Sequence, residues 1–221
     1  MYDTRTMTVR YSRPRLALEF AVIFVGLPLL AGWQGRFLRG WVVPEVLLLA
    51  GIFVALLWRD PSFDRRQMRA LPREWRRDLL RIVVFLVLGG AAVLCLAWRS
   101  GVDLFWFPRE RPVLWLLVLL LYPLVSALAQ EVIFRVFLFH RYRSLFPDPR
   151  LMVLVSASAF ALAHLELGNL PATVLSFLGG LLFANTFGTT RSLPMVTLEH
   201  GLWGDWIFTL GLGVYFYGGR F

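Results

Sequence analysis

Apolar runs long enough to cross a bilayer recur along this sequence, and they constrain the fold more than any other feature. A helix needs about 20 apolar residues to span the hydrocarbon core. Candidate spans lie at Leu16–Trp33 and Trp41–Trp58, joined by a short Gln34–Gly40 turn, and then at Leu79–Trp98. Pro112 sits where a helix starts well and opens a long run to about Ser144. Leu151–Leu165, Pro171–Phe187 and roughly Leu193–Tyr217 complete a set of seven, with room for an eighth. The expected fold class is therefore all-α, a polytopic transmembrane bundle of seven or eight helices in one membrane domain, residues 1–221. The composition agrees: 58% of the residues are hydrophobic and only 17% are charged, too apolar for a soluble domain of this length. The single cysteine, Cys95, excludes a disulfide framework and reads as a packed thiol. The basic N-terminus leads into a run of full spanning length without a small-residue cleavage site, so no cleavable signal peptide is expected.

The net charge of +9 comes from arginines clustered beside the apolar runs, which favours lipid headgroups over nucleic acid as the partner. Their distribution also predicts orientation. With the N-terminus in the cytoplasm, sixteen arginines fall on the inner side. These are Arg5, Arg10, Arg13, Arg15, the eight of Arg59–Arg81, and Arg141, Arg143, Arg150 and Arg191. Six fall outside: Arg36, Arg39, Arg99, Arg109, Arg111 and Arg220. The bias predicts a multi-pass protein of the cell's inner (cytoplasmic) membrane, with 59–81 as an arginine-rich cytoplasmic loop carrying an interfacial helix.

Ionisable residues at bilayer depth are expensive and point to function. Three clusters stand out: Gln130-Glu131-Val-Ile-Phe-Arg135, Phe160-Ala-Leu-Ala-His164 and Glu199-His200-Gly-Leu-Trp-Gly-Asp205. At about 1.5 Å per residue, Gln130 lies roughly 20 Å from the cytoplasmic end of its helix, and His164 roughly 20 Å from Leu151. His200 and Asp205 lie about 10 and 18 Å from Leu193. Three helices thus bring polar groups to similar depth, as one shared site requires. Glu131 and Arg135 share a helix face and can pair, which by itself is compatible with a purely structural, charge-neutralising role. Gln130 projects about 100° away from Glu131, so the neighbours cannot do the same job.

These clusters resemble the motifs of the CPBP family, the CAAX prenyl endopeptidases and their bacterial relatives, also called Abi proteins. The family pattern is Glu-Glu-x-x-x-Arg, then Phe-x-x-x-His, then His-x-x-x-Asn or a similar residue. All three elements occur in order across Gln130–Asp205, and the text from Phe134 to Arg141 is also similar to family sequence. The first three helices match only in being hydrophobic, so residues 113–217 are the CPBP-like catalytic core. The resemblance implies a glutamic intramembrane endopeptidase acting on a membrane-embedded, membrane-anchored or lipidated protein or peptide, with no cofactor and no metal. It gives His164, with the first glutamate of the pair, the task of activating a water. It gives His200 and the polar residue after it the task of stabilising the oxyanion. Glu131 and Arg135 become the pair that supports the site.

Two departures stand out. Gln130 occupies the position of the first glutamate and cannot act as a base, which implies that the chain as written is inactive. An engineered substitution, a natural pseudoprotease and the use of Glu131 as base after a local rotation are the three readings. In the third motif the fourth residue after His200 is Gly204, and Asp205 comes one later, where it would have to be protonated to donate to an oxyanion. Other classes fit less well. Ser156 and Ser158 lack a Gly-x-Ser-x-Gly context, and the His-Glu-x-x-His of a zinc protease is absent. Two histidines could serve as axial haem ligands. Intramembrane charges also occur in transporters, but two matching halves with broken helices are not evident. A non-catalytic adaptor or immunity protein on the same scaffold is the reading that Gln130 itself favours.

Overall fold

The computed structural model describes residues 12–38 and 42–217. The arginines at 5, 10, 39 and 220, and the predicted helix start at Trp41, lie outside the described residues. Helix α1 covers Arg13–Trp33, and its helical backbone continues to Leu38. The turn expected from Gln34 therefore does not begin there. Helix α2 is Val42–Arg59, α3 is Trp75–Arg99 and the short α4 is Trp106–Glu110. Helix α5 is Pro112–Arg141, α6 is Pro149–Leu167, α7 is Leu170–Thr190 and α8 is Leu193–Leu210. A last short helix, α9, is Val214–Tyr217.

Among the described residues six helices, α1, α2, α3, α5, α6 and α7, are long and apolar enough to cross a membrane, which makes this a multi-pass membrane protein. The seventh expected span, α8, is not among them. Glu199, His200 and Asp205 dilute its apolar character, yet it packs inside the bundle against α3, α5 and α7. It also stops earlier than expected, because Gly211 turns the chain with φ +92°, where a side chain would strike Trp106 and the Asp103 carbonyl.

Local sequence sets the helix starts. Asp148, Asn169 and Ser192 cap α6, α7 and α8 by accepting from the backbone N–H of Leu151, Ala172 and Met195 at 2.8, 2.9 and 3.3 Å. Each cap is followed within two residues by a proline, whose missing N–H is not needed in the first turn. Helix α5 is locally widened: Pro123–Ala127 and Val132–Phe137 are π-helical, on either side of Gln130 and Glu131. Pro123 cannot donate the backbone bond that a regular turn requires, which accounts for the first of these. π-Turns of this kind gather at functional sites.

Helices α1 and α2 are fastened to the C-terminal end of α5. Arg141 grips Glu19 with two hydrogen bonds of 2.8 and 2.7 Å, and the Tyr142 hydroxyl donates to the same carboxylate at 3.0 Å. Phe53 of α2 stacks on Phe137 of α5 at 3.8 Å, and His140 meets Asp60 at 2.9 Å. Burial pushes the Asp60 carboxyl up, but hydrogen bonds from His140 and Ser62 outweigh it and hold it at about 2. Helices α6 and α7 touch through Ala157 and Gly180, where an added Cβ would press on the Ala157 backbone. Helix α3 leans on α8 through two glycines: Gly89 faces the Trp203 ring, and the Gly90 carbonyl accepts from Trp206 Nε1 at 3.1 Å. Cys95 is not packed inside but exposed on the outer surface of α3. The periodicity of a uniformly apolar stretch could not reveal which face looks out.

Candidate active site

The three polar clusters meet at one place. Glu131 and Arg135 are both 0% exposed in their side chains, an extreme burial for charged groups. Glu131 Oε2 lies 3.2 Å from Arg135 Nε, one helical turn on, and Oε1 lies 2.7 Å from His200 Nδ1 of α8. Arg135 in turn donates to the Gly180 carbonyl of α7 at 3.2 Å, and its guanidinium lies over Phe160 and Phe183 at 4.5 and 5.5 Å. One arginine thus ties together α5, α6 and α7, and the carboxylate beside it ties in α8. Buried charges are tolerated when paired and hydrogen-bonded in this way.

His200 is held on every side. Its ring stacks on Phe183 at 4.5 Å and meets the edge of Phe160 at 5.5 Å. A carboxylate accepts only, so Nδ1 carries the proton that goes to Glu131. Nε2 lies 2.9 Å from the Tyr122 hydroxyl of α5. Both ring nitrogens are therefore engaged by protein groups, which leaves no lone pair for an axial haem ligand. His164 differs. Its Nδ1 donates to the Phe160 carbonyl, one turn back, at 2.7 Å. That bond fixes the tautomer of the neutral ring and leaves Nε2 with its lone pair.

Gln130, His164 and His200 all line a single cavity of about 600 Å³, together with Tyr122, Ser126 and Ser176. Its wall is mainly apolar, from α1, α2, α3 and α5 to α8. Glu131 and Arg135 lie behind that wall, so the 100° offset between Gln130 and Glu131 separates a residue facing the cavity from one facing the interior. The Gln130 amide nitrogen donates to Ser126 Oγ at 2.9 Å, while its Oε1 has no protein partner. Ser176 Oγ and Trp203 Nε1, also on the wall, lack one as well. Of the six predicted site residues, Gln130, His164 and His200 line the cavity, Glu131 and Arg135 lie behind it in contact with His200 or with each other, and Asp205 joins neither group. It does not line the wall, and its Oδ1 is buried without a hydrogen bond. Ser156 is buried and donates to the Phe134 carbonyl at 2.8 Å, fastening α6 to α5. Among the described residues no three His, Cys, Asp or Glu side chains gather in a way that could hold a metal ion.

Sequence reasoning missed Tyr122 and Ser126, although a signal existed. With Gln130 they form an i, i+4, i+8 stripe of hydrogen-bonding side chains on an otherwise apolar helix. It also missed Glu45 and Glu166, which line the cavity from α2 and the end of α6.

Residues 112–204 match the family described as Rce1-like, type II CAAX prenyl endopeptidase. The matched stretch runs from the first residue of α5 to Gly204, and it holds every residue of the predicted site except Asp205. No curated protein and no solved structure matches the chain.

Proposed function

We propose, on the premise that residues 112–204 are an Rce1-like domain of the CPBP family of intramembrane endopeptidases, that this chain is a glutamic intramembrane protease scaffold for membrane-anchored or lipidated proteins, held inactive by Gln130. One observation carries the reading. Gln130 and His164, whose Nε2 keeps its lone pair, line the same cavity, while Glu131 does not line it and is engaged by Arg135 and His200. A carboxylate at 130 and the free Nε2 of His164 could share one water and withdraw its proton as it attacks a peptide carbonyl. The amide of glutamine can hold that water but cannot take its proton. The engagement of Glu131 argues against its acting as a substitute base, since turning it outward would leave Arg135 buried without its counter-charge.

Gln130→Glu is expected to generate cleavage, and adding His164→Ala to remove it. The measurement is co-expression with C-terminally tagged, membrane-anchored candidate substrates, reading loss of the tag. A substrate cut equally fast by the chain with Gln130 and by the Gln130→Glu variant would sink the assignment. The same glutamine favours one alternative, a non-catalytic adaptor that binds such proteins without cutting them. Persistent binding without cleavage in the Gln130→Glu variant would support that reading.

The proposed orientation keeps the N-terminus and the arginine-rich 59–81 stretch in the cytoplasm, with seven crossings if α8 is counted. Reporter fusions after Arg15 and within 59–81 test it. An external signal at both sites rejects it.

A further inference from the structure

Gly204 stands four residues after His200, where the third motif of the family carries a polar side chain. The structure gives a steric reason for the glycine. A Cβ built on Gly204 would fall within the Tyr122 ring, overlapping its Cε1 and Cζ atoms. The phenol therefore occupies the volume that a side chain at 204 would need. Tyr122 reaches that point from α5, two turns before Gln130, with its ring against the edge of Phe208 at 5.1 Å. Its hydroxyl ends 2.9 Å from His200 Nε2 and its side chain lines the cavity beside Gln130, His164 and His200.

We propose that Tyr122 is a catalytic residue that replaces the missing third-motif side chain: it fills the space at Gly204 and supplies a hydrogen-bond donor to the oxyanion. This rests on the protease reading above. The alternative donor named by the sequence, Asp205, does not line the cavity. The proton count is simple. A phenol has one proton, so it can donate either to His200 Nε2 or to an oxyanion. With His200 neutral and its one proton on Nδ1 toward Glu131, the phenol at rest donates to Nε2; as charge develops on the substrate carbonyl, the hydroxyl turns about its C–O bond and gives that same proton to the oxyanion instead. His200 thus positions Tyr122, which is the group that meets the developing charge.

The test uses the full chain in the Gln130→Glu background. Tyr122→Phe keeps the ring and removes the hydroxyl. It should lower kcat about 100-fold with KM unchanged, the loss expected for one oxyanion donor. Gly204→Asn alone has no room for its side chain. Combined with Tyr122→Ala it gains both the space and an amide donor, and should recover kcat at least about tenfold over Tyr122→Ala alone. Full kcat in Tyr122→Phe, or a double variant no better than Tyr122→Ala, overturns the proposal. A second measurement needs no turnover. In the chain with Gln130, Gly204→Asn should lower the unfolding midpoint sharply when Tyr122 is present and little when it is alanine. Additive effects overturn the steric exchange. A strong cycle together with no cleavage by any Gln130→Glu protein would instead reject the protease reading, and the oxyanion role with it.

Discussion

Helices α3 and α5 are both long and apolar, yet they bury different things. From Glu131 to Phe139 nine consecutive residues of α5 are buried, all the way round the helix. Along α3 only Ile82, Gly90 and Ala97 are, a stripe one residue wide. Leu80, Val87, Leu88 and Trp98 of α3 remain more than 60% exposed, as lipid-facing side chains do. Helix α5 is a pivot, gripped by α2, α6, α7 and α8 around two paired charges. Helix α3 is a panel, hung on α8 by two glycines and two tryptophans, that closes one side of the cavity. The family match covers the pivot and stops short of the panel. The buried polar groups thus sit where helices enclose one another, and the panel is apolar and close enough to seal.

That contrast can be broken most directly at Arg135. Arg135→Met leaves Glu131 buried without its counter-charge, and should cost about 3–5 kcal/mol of stability. Reversible unfolding in detergent, followed by tryptophan fluorescence, is the measurement. Retention of full stability would mean that the charges do not hold the pivot together. On the panel, Gly90→Leu would drive a side chain into the Trp206 indole, and should cost about 1–3 kcal/mol by overpacking. The hydrogen bond between Trp206 Nε1 and the Gly90 carbonyl would be lost with it. If Gly90→Leu proves as damaging as Arg135→Met, pivot and panel form one cooperative unit, and the division drawn above fails.

Six of the seven expected spans and the three clusters were legible in the sequence because a bilayer leaves few ways to be apolar for 20 residues and few reasons to interrupt the run. Gln130, Glu131, Arg135, His164 and His200 stood out by their cost in lipid; of the three helices expected at matched depth, α5 and α8 touch through Glu131 and His200, and Gln130, His164 and His200 line one cavity. Tyr122 escaped because an aromatic residue in a hydrophobic helix carries no such cost, and its polarity lies in one hydroxyl. Helix facing escaped too. Cys95 lies among residues equally suited to lipid and to core, so no amphipathic signal marks the outward side. The reason for glycine at 204 required coordinates, since it depends on a ring projected from a helix more than 80 residues earlier in the chain. Helix ends were read to within a few residues wherever a cap and a proline coincide. They were misjudged at Gln34, where neither is present.

The contact between Glu131 and Arg135 lies within a single helix, and this bears on how the chain is made. Translation delivers α5 to the membrane before α6, α7 and α8 exist. A lone carboxylate or guanidinium near its centre would oppose partition into lipid by roughly 2.5–3.5 kcal/mol. Set four residues apart, the two neutralise each other inside the newborn helix without help from any other segment. The later partners come one at a time: Gly180 accepts from Arg135 across 45 residues of sequence, and His200 reaches Glu131 across 69. A carboxylate at position 130 would have no such companion on its own helix during this interval. It would have to enter the bilayer protonated, and would lose its proton only after the histidines of α6 and α8 had arrived.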